Sequence, residues 1–305
     1  MKERIRHLLL KFTPEFILVK LRDFLKERRR KSLQQAQLKQ AGLTKEELVR
    51  DLRRAGVQSG DTLLVHCSMS KIGFIKGGAS TLLRALEEAI GREGTLMMPA
   101  FPAEGRNLDY IQSHPFFDEV KTPSKMGLLS EMFRQLPETQ RSIHPTDSIC
   151  AKGINAAWIV SGHKGMQQPY GENSPFRRLC ELKGKILMLG TTLNGACTNL
   201  HTLEDFEDGF LYPIYMPELY KVKVQLANGS IEEVSTRVHN PDYSAKRNAD
   251  ALKPLFLKEQ ALHDCKIGEA KSMLIDAARM LQVMVDAYKK SGVTMYTPKG
   301  GILPE

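Results

Sequence analysis

Three segments of the 305-residue chain carry side chains that could do chemistry. Cys197-Thr-Asn-Leu-His-Thr-Leu-Glu204 places His201 and Glu204 three residues apart, on one face if the segment is helical. A carboxylate beside an imidazole raises its basicity and orients it, as a general base requires; the competing reading is a surface ion pair. Val65-His-Cys-Ser-Met-Ser-Lys-Ile-Gly73, followed by Gly77-Gly78, runs a strand into Ser/Gly turns and a helix start. Free N–H groups and a positive dipole end there suit a phosphate or pyrophosphate, although glycine turns also occur without ligands. Arg141-Ser-Ile-His-Pro145 sets a guanidinium and an imidazole beside a proline-fixed backbone. That loop could hold an anion or carbonyl, or satisfy its own polar groups. Cys197 stands four residues before His201 and raises a Cys–His nucleophile; a buried, inert thiol is the favoured reading.

Other chemistries lose support. The chain has no GxxxxGK[ST], GxGxxG, HExxH or GxSxG signature. Its five cysteines (67, 150, 180, 197, 265) are scattered and form no CxxC pair, which argues against zinc, iron–sulfur clusters and a disulfide framework. No metal is expected, and the thiols are expected to stay reduced in the cytoplasm. No apolar run approaches the roughly 18–20 residues needed to cross a bilayer, and no signal peptide is discernible.

The elements that must position these residues alternate between strand and helix. Thr44-Lys-Glu-Glu47 has capping-box form and opens a helix to about Ala55. Residues 61–66 read as a buried strand, 81–90 as a helix, 94–98 as a second strand and 124–136 as a second helix. Residues 185–189 read as another buried strand, 219–238 as a hairpin around Ala227-Asn-Gly229, and 270–290 as a long amphipathic helix. The alternation predicts an α/β fold: a three-layer α/β/α domain with a central sheet over residues 41–305.

Before it, residues 1–40 read as a basic amphipathic N-terminal helical arm and linker. The net charge is +9, but residues 1–40 hold 12 Lys/Arg against four acids, leaving 32 against 31 elsewhere. The basic face opposite Phe16, Leu21 and Phe24 favours peripheral membrane contact through residues 1–31, at the inner face of the membrane, over nucleic-acid binding. Packing on its own body or on a second subunit in a homodimer is the competing reading.

The segments together resemble the aminoglycoside 3-N-acetyltransferase family. Residues 65–101, VHCSMSKIGFIKGGASTLLRALEEAIGREGTLMMPAF, look like that family's opening, and the resemblance continues through Arg141-Ser142, His144-Pro145, Asn173-Ser-Pro175 and Thr198-x-x-His201-x-x-Glu204. It implies acetyl transfer from acetyl-CoA to an amine by direct attack, without a metal. His201 would be the general base and Glu204 would orient it or bind the incoming ammonium. His66, Ser68, Ser70, Gly77 and Gly78 would bind the cofactor, with Arg141, Ser142 and His144 further cofactor-side candidates. N–H groups near the Ser68–Ser70 turn would face the thioester oxygen. Asp205 and His239 are the candidate substrate-binding residues. Cys67, Ala100, Asn199 and one inserted residue between Gly190 and His201 depart from the family pattern.

A polycationic aminoglycoside calls for an acidic cleft, whereas the body is near neutral, with local acidity only at Asp205, Glu207 and Asp208. The preferred expectation is therefore N-acetylation of an amino sugar in surface-polysaccharide or sugar-nucleotide metabolism. Aminoglycoside modification conferring antibiotic resistance is the alternative, and a non-catalytic binding protein working through its basic arm is the third.

Overall fold

Apolar runs too long for one face, punctuated by glycine, give this chain a sheet buried on both sides. The computed structural model describes residues 42–206 and 210–301, together with Asp23, Phe24, Glu27, Arg28 and Lys31. Those five positions are helical, with an exposed Lys31–Glu27 ion pair at 3.4 Å. The rest of the expected arm and its linker lie outside the described residues. Among the described residues, no helix is long and apolar enough to cross a membrane.

Along the chain come α1 (Lys45–Arg54), β1 (Thr62–Cys67), α2 (Gly78–Ile90), β2 (Thr95–Pro99), β3 (Phe116–Asp118), α3 (Leu128–Arg134), β4 (Gln140–Arg141), β5 (Ile149–Gly153), α4 (Pro175–Glu181), β6 (Lys185–Leu189), β7 (Tyr220–Gln225), β8 (Ile231–Thr236), β9 (Leu262–Ile267), β10 (Ala270–Asp276) and α5 (Ala277–Ser291), besides shorter helical turns. A seven-stranded sheet runs β4-β5-β2-β1-β6-β10-β9, and a three-stranded sheet runs β3-β7-β8. The central strands β2, β1 and β6 are parallel, while β5 and β10 join them antiparallel. Alternate residues of β1 enter opposite cores: Leu63 and Val65 pack with α1 and α2, and Leu64 packs with the α4 and α5 side. This is the predicted three-layer arrangement.

The start of α1 is the predicted capping box, with the Thr44 hydroxyl accepting from Glu47 N–H and the Glu47 carboxylate from Thr44 N–H. The 219–238 hairpin also forms, as β7 and β8. Two expected helices change. Residues 124–127 form a turn, in which Met126 N–H donates to Ser124 Oγ at 3.2 Å, so α3 starts only at Leu128. The single helix expected over 270–290 is divided. Its first seven residues are β10, in which Met273 and Leu274 enter opposite cores, as in an interior strand. Asp276 then caps α5 by accepting from Arg279 N–H at 2.9 Å.

The cleft opens where β2 parts from β1. Their pairing ends at Leu64–Met97, and β2 reaches Pro99, which has no N–H to offer a ladder. β1 goes on pairing with β6 through Cys67–Leu189. β2 and β6 flank β1 on opposite sides, and crevices beyond the carboxyl ends of such strands are where α/β sheets bind ligands. Leu64, fully buried in β1, tests the layering: Leu64→Ala is expected to cost about 2–5 kcal/mol in denaturant unfolding. A loss below about 0.5 kcal/mol, the range of surface substitutions, would contradict it.

Candidate active site

From β6 the chain turns at Gly190, whose φ of +70° strains any side chain and where an added Cβ would come within 3.0 Å of Lys71 Cβ. A one-turn helix, Leu193–Ala196, is capped by Thr192, and a 3₁₀ helix follows over Thr198–Leu203. With three residues per turn, such a helix eclipses positions i and i+3, which brings His201 over Glu204. Asn199 fixes the segment by donating from Nδ2 to Phe176 O on α4 at 2.9 Å.

Glu204 is 5% exposed and receives three donors. Its Oε2 accepts from His201 Nδ1 at 2.8 Å and His239 Nε2 at 2.9 Å, and its Oε1 accepts from the Tyr296 hydroxyl at 2.5 Å. An ionised carboxylate only accepts, so both facing imidazole nitrogens carry hydrogen. On the far side of His201, Arg247 Nη1 lies 3.0 Å from Nε2. A guanidinium only donates, so Nε2 holds the lone pair. Both contacts assign the same tautomer. The nitrogens of His201 and His239 and the Glu204 oxygen lie within 4.8 Å of one another, a spacing open to a metal ion, but the three donors already satisfy this carboxylate.

Aromatic rings clamp the imidazoles. Tyr170 stacks on His201 at 4.8 Å and Tyr215 on His239 at 4.6 Å. The Tyr170 hydroxyl donates to Asp147 Oδ1 at 2.9 Å, and that of Tyr215 to Asp205 Oδ2 at 2.8 Å.

The electrostatics follow from burial and these partners. Burial alone would raise the Glu204 carboxyl, but His201 and His239 outweigh it and hold it far below the usual range. Burial lowers His201; Glu204 opposes this, while His239 and Arg247 add to it, so the net shift is downward. Burial also opposes charge on His239, yet Glu204, Asp147 and Asp205 prevail and raise it. Burial, with Glu204 nearby, pushes Asp205 up to about 7. The result is an anionic Glu204 and a neutral His201 with its lone pair aimed outward.

That lone pair faces a cleft of about 860 Å³, lined by His66, Asp147, Tyr170, His201, His239 and Arg247 among others. Among the expected site residues, the structure thus brings together His66, His201 and His239, with Glu204 directly behind. Asp205 supports Tyr215 and the Tyr170 backbone and does not line the cleft. Glu207 and Asp208 lie outside the described residues.

Ser68, Ser70, Gly77 and Gly78 sit on the connection from β1 to α2, beside the cleft but not lining it. The Ser68 N–H is spent on Leu189 O at 2.9 Å, which removes it from the expected oxyanion donors. Arg141, Ser142 and His144 are buried and turned away from the cleft, contrary to the expectation of direct cofactor contact. Arg141 donates to Ser148 Oγ and to the carbonyls of Thr122 and Ala100. Ser142 is engaged with His163 Nδ1 and Ile149 N–H, and His144 Nδ1 accepts from Asp147 N–H at 3.0 Å. These three hold the loop that carries Asp147. The sequence alone did not point to Asp147, Tyr170, Tyr215, Tyr296 or Arg247, although Asp147 lies three residues after His144 and Tyr170 three before the Asn173-Ser-Pro175 motif.

The chain is similar to known proteins. A family model for aminoglycoside 3-N-acetyltransferase matches residues 64–289. Aminoglycoside N(3)-acetyltransferase VII of Streptomyces paromomycinus is 33% identical over 179 residues, covering 54% of this chain and 62% of that protein. Aminoglycoside N(3)-acetyltransferase III of Salmonella sp is 37% identical over 177 residues, covering 54% and 61%. The chain thus spans about three fifths of the length of the curated relatives it matches. Among solved structures, AAC-IIIb with CoASH superposes with a TM-score of 0.68 at 27% identity, covering 82% of this chain and 97% of that one. AAC-VIa bound to sisomicin gives 0.66 at 29%, covering 82% and 98%.

Cys197 lies beside His201 in sequence, but its thiol is buried and burial pushes it up to about 12. A thiolate nucleophile is not available there at neutral pH. Timed alkylation of the native protein at pH 8, followed by peptide mass spectrometry, is expected to label the half-buried Cys265 well before Cys197. Early labelling of Cys197 would restore the covalent reading.

Proposed function

The chain belongs to the aminoglycoside 3-N-acetyltransferase family, and on that premise we propose that it transfers the acetyl group of acetyl-CoA to an amine of an aminoglycoside-type amino sugar. The observation that carries this reading is the His201 lone pair, presented to the cleft by an anionic Glu204 bonded to the opposite ring nitrogen.

The proposed reaction begins with the acceptor amine replacing the guanidinium at His201 Nε2. His201 takes a proton from the amine as its nitrogen attacks the thioester carbonyl. The tetrahedral intermediate then collapses, the C–S bond breaks, and the CoA sulfur leaves with a proton returned from the imidazolium. Glu204 stabilises the transient imidazolium and fixes the ring, while the Tyr296 and His239 contacts keep the carboxylate in place. The buried Cys197 takes no part.

The CoA-bound AAC-IIIb supports the cofactor assignment. Ser68, Ser70, Gly77 and Gly78 are the proposed cofactor side, next to His66. Helix α2 begins at Gly78 without a side-chain cap; the Gly78 N–H is spent on Ile75 O at 3.0 Å, so the N–H groups that follow it are the ones proposed for the pyrophosphate. Arg141, Ser142 and His144 act one layer back, through the Asp147 loop.

The relatives are aminoglycoside acetyltransferases, so this acceptor class takes precedence over the nucleotide-linked amino sugar that near-neutral body charge suggested. Net charge is a poor guide here because the field at the reacting amine is local. Glu204, Asp147 and Asp205 surround His201 and His239 whatever the distant surface carries.

Purified protein with acetyl-CoA is expected to release CoA thiol in the presence of kanamycin or sisomicin, and His201→Ala to lower kcat about 10²–10⁴-fold. Turnover of nucleotide-linked amino sugars alone would overturn the acceptor assignment. Because the base must be neutral and its pKa is lowered from 6.5, the acid limb of kcat/KM is expected below pH 6.5. A limb above that value would contradict a depressed His201.

A further inference from the structure

Arg247 transfers no proton and forms no bond in the reaction above, yet it occupies the place at His201 Nε2 that the acceptor amine must take. It follows the short helix Pro241–Ala245, capped by Asn240 immediately after His239. Its Nε donates to Ser244 O at 3.1 Å, which aims Nη1 at His201 Nε2, 3.0 Å away. Neither partner is a carboxylate. The side chain is exposed, so it can swing aside without breaking a packed core. A charged donor on the Nε2 lone pair is what an approaching ammonium would be, so Arg247 stands where the acceptor's cation must come.

The cleft around it has the same bias. Apart from histidines, its charged lining is Arg106, Lys125, Asp147 and Arg247, three cations to one carboxylate. Lys125 has an exposed partner in Glu104 at 3.6 Å, whereas Arg247 has only His201 and Ser244 among the described residues. Once displaced, its fork-shaped guanidinium is matched to a phosphate or carboxylate carried by the incoming molecule.

We propose that Arg247 is a specificity-determining residue, a tethered cation that competes with polycationic acceptors for His201 and favours amines that carry an anion within its reach. The inference rests on the acetyl-transfer reading and refines which amines it admits. It gives Arg247 a role that holding His201 in place would not: its removal must move different acceptors in opposite directions.

The test compares kanamycin, a polycation, with glucosamine 6-phosphate, an amine with one anion, in wild type, Arg247→Ala and Arg247→Lys. The ratio of kcat/KM for kanamycin over glucosamine 6-phosphate is expected to rise about tenfold in Arg247→Ala, as for one close charge pair gained or lost. Arg247→Lys, which keeps the charge, is expected to stay within about threefold of wild type, well short of a full charge-pair effect. Calorimetric binding of both acceptors to CoA-saturated protein is expected to give the same shift without any chemistry. A failure of acetyl transfer is therefore told apart from a failure of this inference. An unchanged ratio, an equal fall for both acceptors, or no binding of either to any form overturns the proposal.

Discussion

One buried negative charge organises the site. Glu204 lies in the interior, where an unpaired carboxylate costs several kcal/mol. It stays ionised because three donors reach it from three parts of the chain: His201 from its own 3₁₀ turn, His239 after β8, and Tyr296 beyond α5. None of these could be lost without leaving the charge short of a partner. The carboxylate therefore ties the segment after β6 to the smaller sheet and to the C-terminal end of the fold. The same bonds decide the chemistry, since a carboxylate at Nδ1 leaves the lone pair on Nε2.

The layers serve that arrangement. The parallel strands β2, β1 and β6 end together, and the early separation of β2 from β1 opens the cleft beside His66. β6 delivers the turn at Gly190 and the capped helical turns that carry His201. On the opposite wall, the buried polar group of Arg141, Ser142, His144 and His163 fixes Asp147, which in turn holds the Tyr170 ring against His201. Residues that resemble cofactor ligands in sequence thus work as a scaffold, their hydrogen bonds consumed within the protein.

What the sequence revealed follows from the range of the forces involved. The capping box at Thr44, the hairpin around Asn228-Gly229 and the His201–Glu204 pair are local, decided within a few residues, and all three could be read. The 270–290 segment misled because Met273 and Leu274 suit a helix stripe or a doubly buried strand equally well. Only pairing with β6 and β9 selects the strand. Tyr296 and Glu204 are 92 residues apart, and Arg247 and His201 are 46 apart, so no spacing rule could join them. The near-neutral body charge pointed away from the acceptor class of the relatives because it averages over a surface that the reacting amine never senses.

The central claim is that burial keeps His201 neutral while Glu204 holds its hydrogen on Nδ1, leaving the lone pair on Nε2. Nitrogen-15 NMR of labelled protein reads this directly at pH 7. The account predicts a neutral His201 in the Nδ1–H tautomer, and a Glu204→Gln variant in which that tautomer is no longer enforced. A His201 that is doubly protonated at pH 7, or hydrogen-bearing at Nε2 in the wild type, would contradict it.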